Sequence, residues 1–504
     1  MKKRRQKTET SSQSHTHLTS SYLLWPLVAI VLLHFIGVLF PQHFTWGFNF
    51  WGFLPQSLSL VVLITALVLL SPFIYDKWTS PLAPFLTRLL QPNRRKNRVV
   101  VIAIGSILLF ALFYVFRSRA HVYGDGFTIL AEAADLKLPQ LHGQMYVQIL
   151  SLLLHHYSTV TFNSLLGFAA ETTFAIVNSI GGVVGIWALY RIATLLTSDQ
   201  AERWFILVGS LSSGAVILFF GYIEHYTWAM SIGLWSVYWL VKHIQHSCAI
   251  WPSVLFAVLA SAFHLVALPF LAATVVTMVL LKADQQDRPL RSLVTKFLIL
   301  ILITSFTGAI TSQFAGKWQV LVPLWPVAGN PYWFLSLAHL IDMVNLIILI
   351  APFGVVAAIV GLISSKWRTS RVGMEGTTLA GVSAFAFLAA FWIDPTIGAA
   401  RDWDLLAVFG FPLSLWGVHS ICQRLPKDSA RIKYLPAMLI VMLICIIPNL
   451  IEKNDLNRAV VRLDTMLWHD AHYQKDYRQA ERCLPWGHAL SYNVGDMERS
   501  VKYF

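Results

Sequence analysis

The chain is predicted to be all-α: a polytopic transmembrane helical protein of about thirteen spans. Three observations predict it. Hydrophobic residues make up 56% of the 504 and charged residues only 12%. Apolar runs of about 17 to 20 residues recur from end to end, each long enough to cross a bilayer. Lys and Arg fall in short clusters between those runs, as the positive-inside rule requires.

The first run, Tyr22 to Phe40, has no small-residue cleavage site after it and more spans follow, so it reads as a retained helix and not a signal peptide. Further spans are predicted near 57–75, 99–116, 172–190, 204–220, 227–241, 250–263, 265–281, 297–314, 346–363, 377–393, 404–421 and 434–448. Lys2, Lys3, Arg4 and Arg5 place the N-terminus on the cytoplasmic side. Arg94, Arg95, Lys96 and Arg98, then Lys282, Arg288, Arg291 and Lys296, then Lys366, Arg368 and Arg371 mark later inner segments in register with that start. About 25 basic residues fall inside, about 5 in outer loops and about 8 in the tail, which comes out on the outer side. The stretch 250–281 is kept as two short spans turning at His264, because merging them puts the later basic clusters outside.

These assignments divide the chain into a basic cytoplasmic N-terminus (1–21), two added helices with a basic inner loop (22–98), a membrane core (99–448) and a small outer helical tail (449–504). The longest outer loop, Arg117 to about Asn163, holds an apolar stretch, Tyr146 to Leu154, that reads as an interfacial helix with His155 and His156 behind it. In the tail, Tyr473 to Pro485 and Tyr492 to Phe504 are faintly like tetratricopeptide helices, but one ragged copy makes no repeat.

The net charge of +13 is read as topology, not nucleic-acid binding, since it is spread among inner loops. Of Cys248, Cys422, Cys445 and Cys483, only Cys483 is assigned to an outer aqueous segment, so no disulfide framework is expected. No CxxC or Cys/His cluster suggests zinc. P-loop, GxGxxG and HExxH motifs are absent, which argues against nucleotide-driven chemistry.

Several polar groups are predicted to share the outer side. Asp125 lies between two glycines in His121-Val-Tyr-Gly-Asp-Gly-Phe127. A bendable backbone beside a low-dielectric surface suits an acid to act as a base; the structural alternative is an Asx-type turn that only shapes the loop. Glu224 and His225, in Gly221-Tyr-Ile-Glu-His-Tyr226, read as groups that position a hydroxyl or contact a phosphate, or as an interfacial pair within an aromatic belt. Ser336, His339, Asp342 and Asn345 recur every three residues, with His339 and Asp342 able to touch on one helix face, as a binding stripe or a satisfied interfacial pair. His264 stands alone. Arg401 is the one basic residue in its outer loop, with Asp394, Asp402 and Asp404 around it. Its planar donor fork suits a phosphate, with Asp402 or Asp404 holding it, unless the network only staples the loop.

With its long first outer loop carrying Asp125, its Gly221-Tyr-Ile-Glu-His-Tyr226 segment and its Arg401-Asp-Trp-Asp-Leu405 segment, the chain resembles the GT-C superfamily of membrane glycosyltransferases over roughly Val99 to Pro448. That superfamily includes protein mannosyltransferases and the aminoarabinose transferase of lipid A. The resemblance implies a bacterial inner-membrane enzyme that takes a sugar from a polyprenyl phosphate donor and passes it to a glycan, lipid or protein acceptor outside. Asp125 would be the general base of an inverting transfer, Arg401, His225 and His339 would bind the donor phosphate, and Glu224, Asp342, Asp402, Asp404 and His264 would position substrate. Family members commonly carry two acids near the first motif. Here Asp125 is flanked by glycines and the next acids are Glu132 and Asp135, so no metal or other cofactor is assigned, although a divalent ion stays open. The two helices before Val99 look like an addition to the family core.

Other classes remain. A flippase or transporter would show mid-membrane ionisable residues, broken helices and an internal repeat, of which the sequence shows almost none: Glu171 sits at an outer edge, His34 is isolated and no half matches the other. A ligase or polymerase of lipid-linked oligosaccharides would share the setting and the outer Arg/His chemistry. A scaffold recruiting partners through its tail leaves the polar cluster unexplained.

Overall fold

A computed structural model describes residues 23–90, 98–134, 145–284, 321–326, 332–363, 373–395, 398–423 and 430–467. The predicted span at 297–314, Cys483 and the tetratricopeptide-like stretches lie outside them. All regular structure among the described residues is helical, apart from an isolated bridge between Leu321 and Ile393. In chain order the first eleven helices are α1 (Leu23–Leu39), α2 (Gln56–Leu70), α3 (Pro72–Leu90), α4 (Arg98–Val115), α5 (Gly126–Ala134), α6 (Met145–Leu166), α7 (Ala170–Leu196), α8 (Gln200–Leu211), α9 (Tyr226–His246), α10 (Trp251–Phe263) and α11 (Leu268–Asp284). They are followed by α12 (Leu337–Ile350), α13 (Pro352–Ile363), α14 (Met374–Trp392), α15 (Trp403–Ala407), α16 (Gly410–Cys422), α17 (Ala430–Lys433), α18 (Leu435–Asn454) and α19 (Leu456–Leu467).

Among the described residues, four segments are long and apolar enough to cross a membrane: α7, α14, α15 with α16, and α18; the count rises to six if each of two bent pairs is one span. The bent pairs interrupt predicted spans, and proline explains both. Ser71, before Pro72, is extended and α2 meets α3 at 80°; Ala351, before Pro352, has ψ 58° and α12 meets α13 at 103°. The proline ring disfavours helical backbone at the preceding residue and removes one N–H from the ladder. The predicted span 204–220 is also divided. It stops at Leu211, and a buried 3-10 turn, Gly214–Phe219, follows two serines. The Ser213 hydroxyl caps that turn by accepting from Ala215 N and donates to Ile350 O, a local alternative to helix continuation.

At His264 the backbone is extended (φ −160°, ψ 133°), so α10 and α11 are separate helices that pack together, as the paired reading of 250–281 requires. The predicted interfacial stretch Tyr146 to Leu154 is part of a longer helix, α6, with a kink at Gln148. The last predicted span does not end at Pro448. Helix α18 carries that proline inside it and continues to Asn454, which brings Glu452 and Lys453 into the bundle instead of an outer tail.

Close packing of α7 against α9 and the 3-10 turn fixes the segment 220–226. Ser231 Oγ donates to Gly181 O at 2.7 Å, and a Cβ on Gly182 or Gly185 would strike Phe219. Small residues on one helix face let backbones approach in this way. The residues before α2 pack into the rest of the bundle. The turn Trp46–Phe50 is buried, with the Trp46 indole donating to Asp342 (2.8 Å), Gly47 N to Asn345 (2.8 Å) and the Trp51 indole to Ile444 O (3.0 Å).

Candidate functional site

Three chain segments and the end of α18 meet in one place. The segment from Ser118 to Asp125 is laid down by backbone bonds: Ser118 N to Phe220 O (2.9 Å), Arg119 N and Ala120 N to Lys453 O (2.9 and 2.8 Å), and Gly124 N to Arg401 O (3.1 Å). Asp125 N donates to Glu224 Oε1 at 2.6 Å. Gly124 has φ +60°, and a Cβ there would collide with the carboxylates of Glu224 and Asp404. Glycine is therefore required twice, for its backbone and for its lack of volume.

Glu224 is presented by the segment after the 3-10 turn. Asn178, on α7, donates to Tyr222 O (2.7 Å) and Glu224 O (3.1 Å), and its Oδ1 faces His155 Nε2 at 3.1 Å. Ser151 Oγ donates to His225 O, so α6 and α7 together hold this segment. The third segment turns at Gly398 and delivers Arg401, Asp402 and Asp404.

Of the four acids brought together, Asp125 is exposed, whereas Glu224, Asp402 and Asp404 are buried. Burial, then the charges of Asp404, Asp125 and Asp402, push the Glu224 carboxyl well above the usual range. Burial, then Asp404 and Asp125, does the same to Asp402, against the pull of Arg401. Asp404 accepts from Leu405 N and faces the Tyr222 hydroxyl. Arg401 is 8% exposed. Its Nη2 donates to Gly124 O at 3.4 Å, while Nε and Nη1 are buried with no hydrogen-bond partner among the described residues. Buried donors are almost always paired, so a guanidinium in this state is poised for an anion.

The remaining predicted residues are three histidines and Asp342. His225 is buried with its ring against His155 and Phe174, and burial, then the neighbouring His155 and His264, lowers its pKa well below the ordinary value. His264 Nδ1 accepts from Val266 N, capping the turn before α11, and burial holds its pKa at about 3. His225 Nδ1 is buried with no hydrogen-bond partner among the described residues. His339 Nδ1 donates to Phe334 O and its ring lies among Tyr332, Phe334 and Phe391, while Asp342 accepts from Trp46. Among the described residues no three His, Cys, Asp or Glu side chains are disposed to hold a metal ion.

Residues not singled out in the sequence complete the site. The Lys453 ammonium, 1% exposed, lies 3.8 Å from the Tyr123 ring, 5.0 Å from Trp403 and 5.2 Å from Tyr222. One cation thus touches an aromatic ring from each converging segment, a set of cation–π contacts. Glu452 accepts from the Tyr123 hydroxyl and lies 3.8 Å from Arg462. The charged Glu452-Lys453 pair directly after the last apolar run was a readable signal. A second was Arg462, which shares its helix face with Ala459, Leu463 and Met466.

No protein-family model matches the chain, and neither curated proteins nor solved structures give a match.

Proposed function

We propose that this membrane protein transfers a sugar from a polyprenyl phosphate donor to an acceptor hydroxyl, with Asp125 as general base and Arg401 on the donor phosphate. The observation that carries this reading is Arg401: a buried guanidinium whose Nε and Nη1 lack partners among the described residues, joined through Gly124 to the one exposed carboxylate of the acidic group. The GT-C-like order of the Asp125, Glu224 and Arg401 segments along the chain supports it as well, together with a helical, apolar scaffold able to hold a prenyl tail.

In the proposed reaction Asp125 takes the proton of the acceptor hydroxyl as its oxygen bonds to the anomeric carbon. The bond from that carbon to the phosphate oxygen breaks, and the electron pair leaves with polyprenyl phosphate. Arg401 balances the charge that grows on the departing phosphate. The leaving group departs as a stable anion, so the step needs no strong general acid. Glu224 fixes the backbone at Asp125, and its raised pKa spares Asp125 a second full negative charge alongside. The site faces the outer side of a bacterial inner membrane in this proposal, within a topology of about thirteen spans.

Purified protein incubated with a polyprenyl phosphate hexose and membrane extract tests the reading, with products identified by mass spectrometry. Sugar on a new acceptor together with free polyprenyl phosphate is expected. Movement of intact donor across vesicles without sugar release would replace transfer by flipping, and transfer of a whole oligosaccharide only would make the protein a ligase or polymerase.

A further inference from the structure

Arg462 is not used by the proposed reaction, yet it is buried at 2% exposure and satisfied at every guanidinium nitrogen by a different residue. Nε donates to Asn49 Oδ1 (3.0 Å), Nη1 to the Tyr123 hydroxyl (2.8 Å) and Nη2 to Trp46 O (2.6 Å). The guanidinium stacks on Phe50, 3.7 Å from the ring centre, and Glu452 stands opposite. One planar group therefore joins the turn between α1 and α2, the helix α19, the end of α18 and the Tyr123 ring two residues before Asp125. Tyr123 is itself gripped from three sides, by Arg462, by Glu452 and by the Lys453 ammonium on its face. Burying this many polar and charged groups is costly unless each is paired and fixed in place, and the pairing here fixes Tyr123.

We propose that Arg462 is a positioning residue: with the Trp46–Phe50 turn and Glu452 it sets Tyr123 and so holds Asp125 in its working place, which makes the two N-terminal helices part of the catalytic apparatus. The inference rests on the reading of Asp125 as the base. A lysine keeps the charge of Arg462 but offers one nitrogen, which cannot reach three acceptors on separate segments. Geometry, not charge, is thus what the site needs from this residue.

The test uses the full-length protein with Arg462→Lys, Arg462→Gln and Tyr123→Phe, assayed for hexose transfer from a polyprenyl phosphate hexose, with Asp125→Asn as the control. All three variants are expected to lose about 10- to 100-fold in kcat, since small displacements of a reacting group cost that much, while donor KM stays within about twofold. Lysine is not expected to rescue. Wild-type kcat in Arg462→Lys, or a loss carried wholly by donor KM, would overturn the proposal. Amide hydrogen exchange supplies a readout that needs no substrate: residues 119–126 should lose protection in the three variants while α7 keeps its own. Unchanged exchange at 119–126 overturns the positioning role by itself. An active Asp125→Asn instead removes the transfer reading, and the exchange result then decides whether Arg462 sets this segment.

Discussion

Two polar regions of the molecule are alike in sequence and differ in what surrounds them. The stripe on α12, from Ser336 to Asn345, and the group around Asp125 each set ionisable residues against apolar helices. On α12 the polar residues have structural partners. Ser336 caps the helix by accepting from His339 N, Asp342 accepts from the Trp46 indole, and Asn345 accepts from Gly47 N while donating to Phe44 O. Around Asp125 the chain does the reverse: three acids are buried together, an arginine keeps two donors unpartnered among the described residues, and one carboxylate is exposed. Polar groups that serve architecture are satisfied within the fold, whereas groups left in tension are the candidates for chemistry.

Substitutions in the two regions should therefore fail in different ways. The largest effect is expected for Asp125→Asn, with sugar transfer falling by about 100- to 10,000-fold, the range for loss of a general base, and no loss of folded protein. Product yield against unfolding temperature separates the two quantities. For Asp342→Ala the expectation is inverted. The buried Trp46 indole N–H is left unpaired, at a cost of about 1 to 3 kcal/mol in stability, while kcat of the folded protein stays within about twofold. Collapse of activity without loss of stability would bring Asp342 back among the substrate-positioning residues.

The fold class was legible because apolar composition and run length are sufficient to require helices in lipid, where every backbone polar group must be satisfied internally. Helix breaks were less legible. Pro72 and Pro352 sit within runs whose hydropathy does not fall, so a window average crosses them even though the backbone turns. Asp125, Glu224, Arg401, Asp402 and Asp404, singled out by their chemistry in otherwise apolar surroundings, lie together in the fold. Sequence cannot tell a ring satisfied by a neighbouring backbone group, as at His264 and His339, from one that keeps a nitrogen unpartnered among the described residues, as at His225. Lys453 and Arg462 were missed for the opposite reason. Charges near a chain end read as solvated, and only the continuation of α18 through Pro448 and the docking of α19 bring them inside. The role of the Trp46–Phe50 turn depended on pairings about 300 or more residues apart in sequence, which no local pattern records.

The smallest effect expected concerns pH. In the folded protein Glu224 keeps its proton well above the usual carboxylate range, through burial and then through Asp404, Asp125 and Asp402, while the unfolded chain releases it at the ordinary value. The folded state therefore loses stability as pH rises from the ordinary carboxylate pKa towards the raised one. Glu224→Gln keeps an oxygen to accept from Asp125 N but has no proton to lose. Its unfolding temperature should decline less than that of the wild type between about pH 5 and about pH 8. Parallel declines would mean that Glu224 is already ionised in the fold, and the contrast with the α12 stripe would weaken.

The most direct test is an experimental structure with polyprenyl phosphate bound. Phosphate oxygens are expected at about 3 Å from Arg401 Nε and Nη1, the donors without partners among the described residues, with the Asp125 carboxylate open on the side where the sugar would lie. A phosphate held against α12 beside His339 and Asp342, with Arg401 uninvolved, would contradict that expectation.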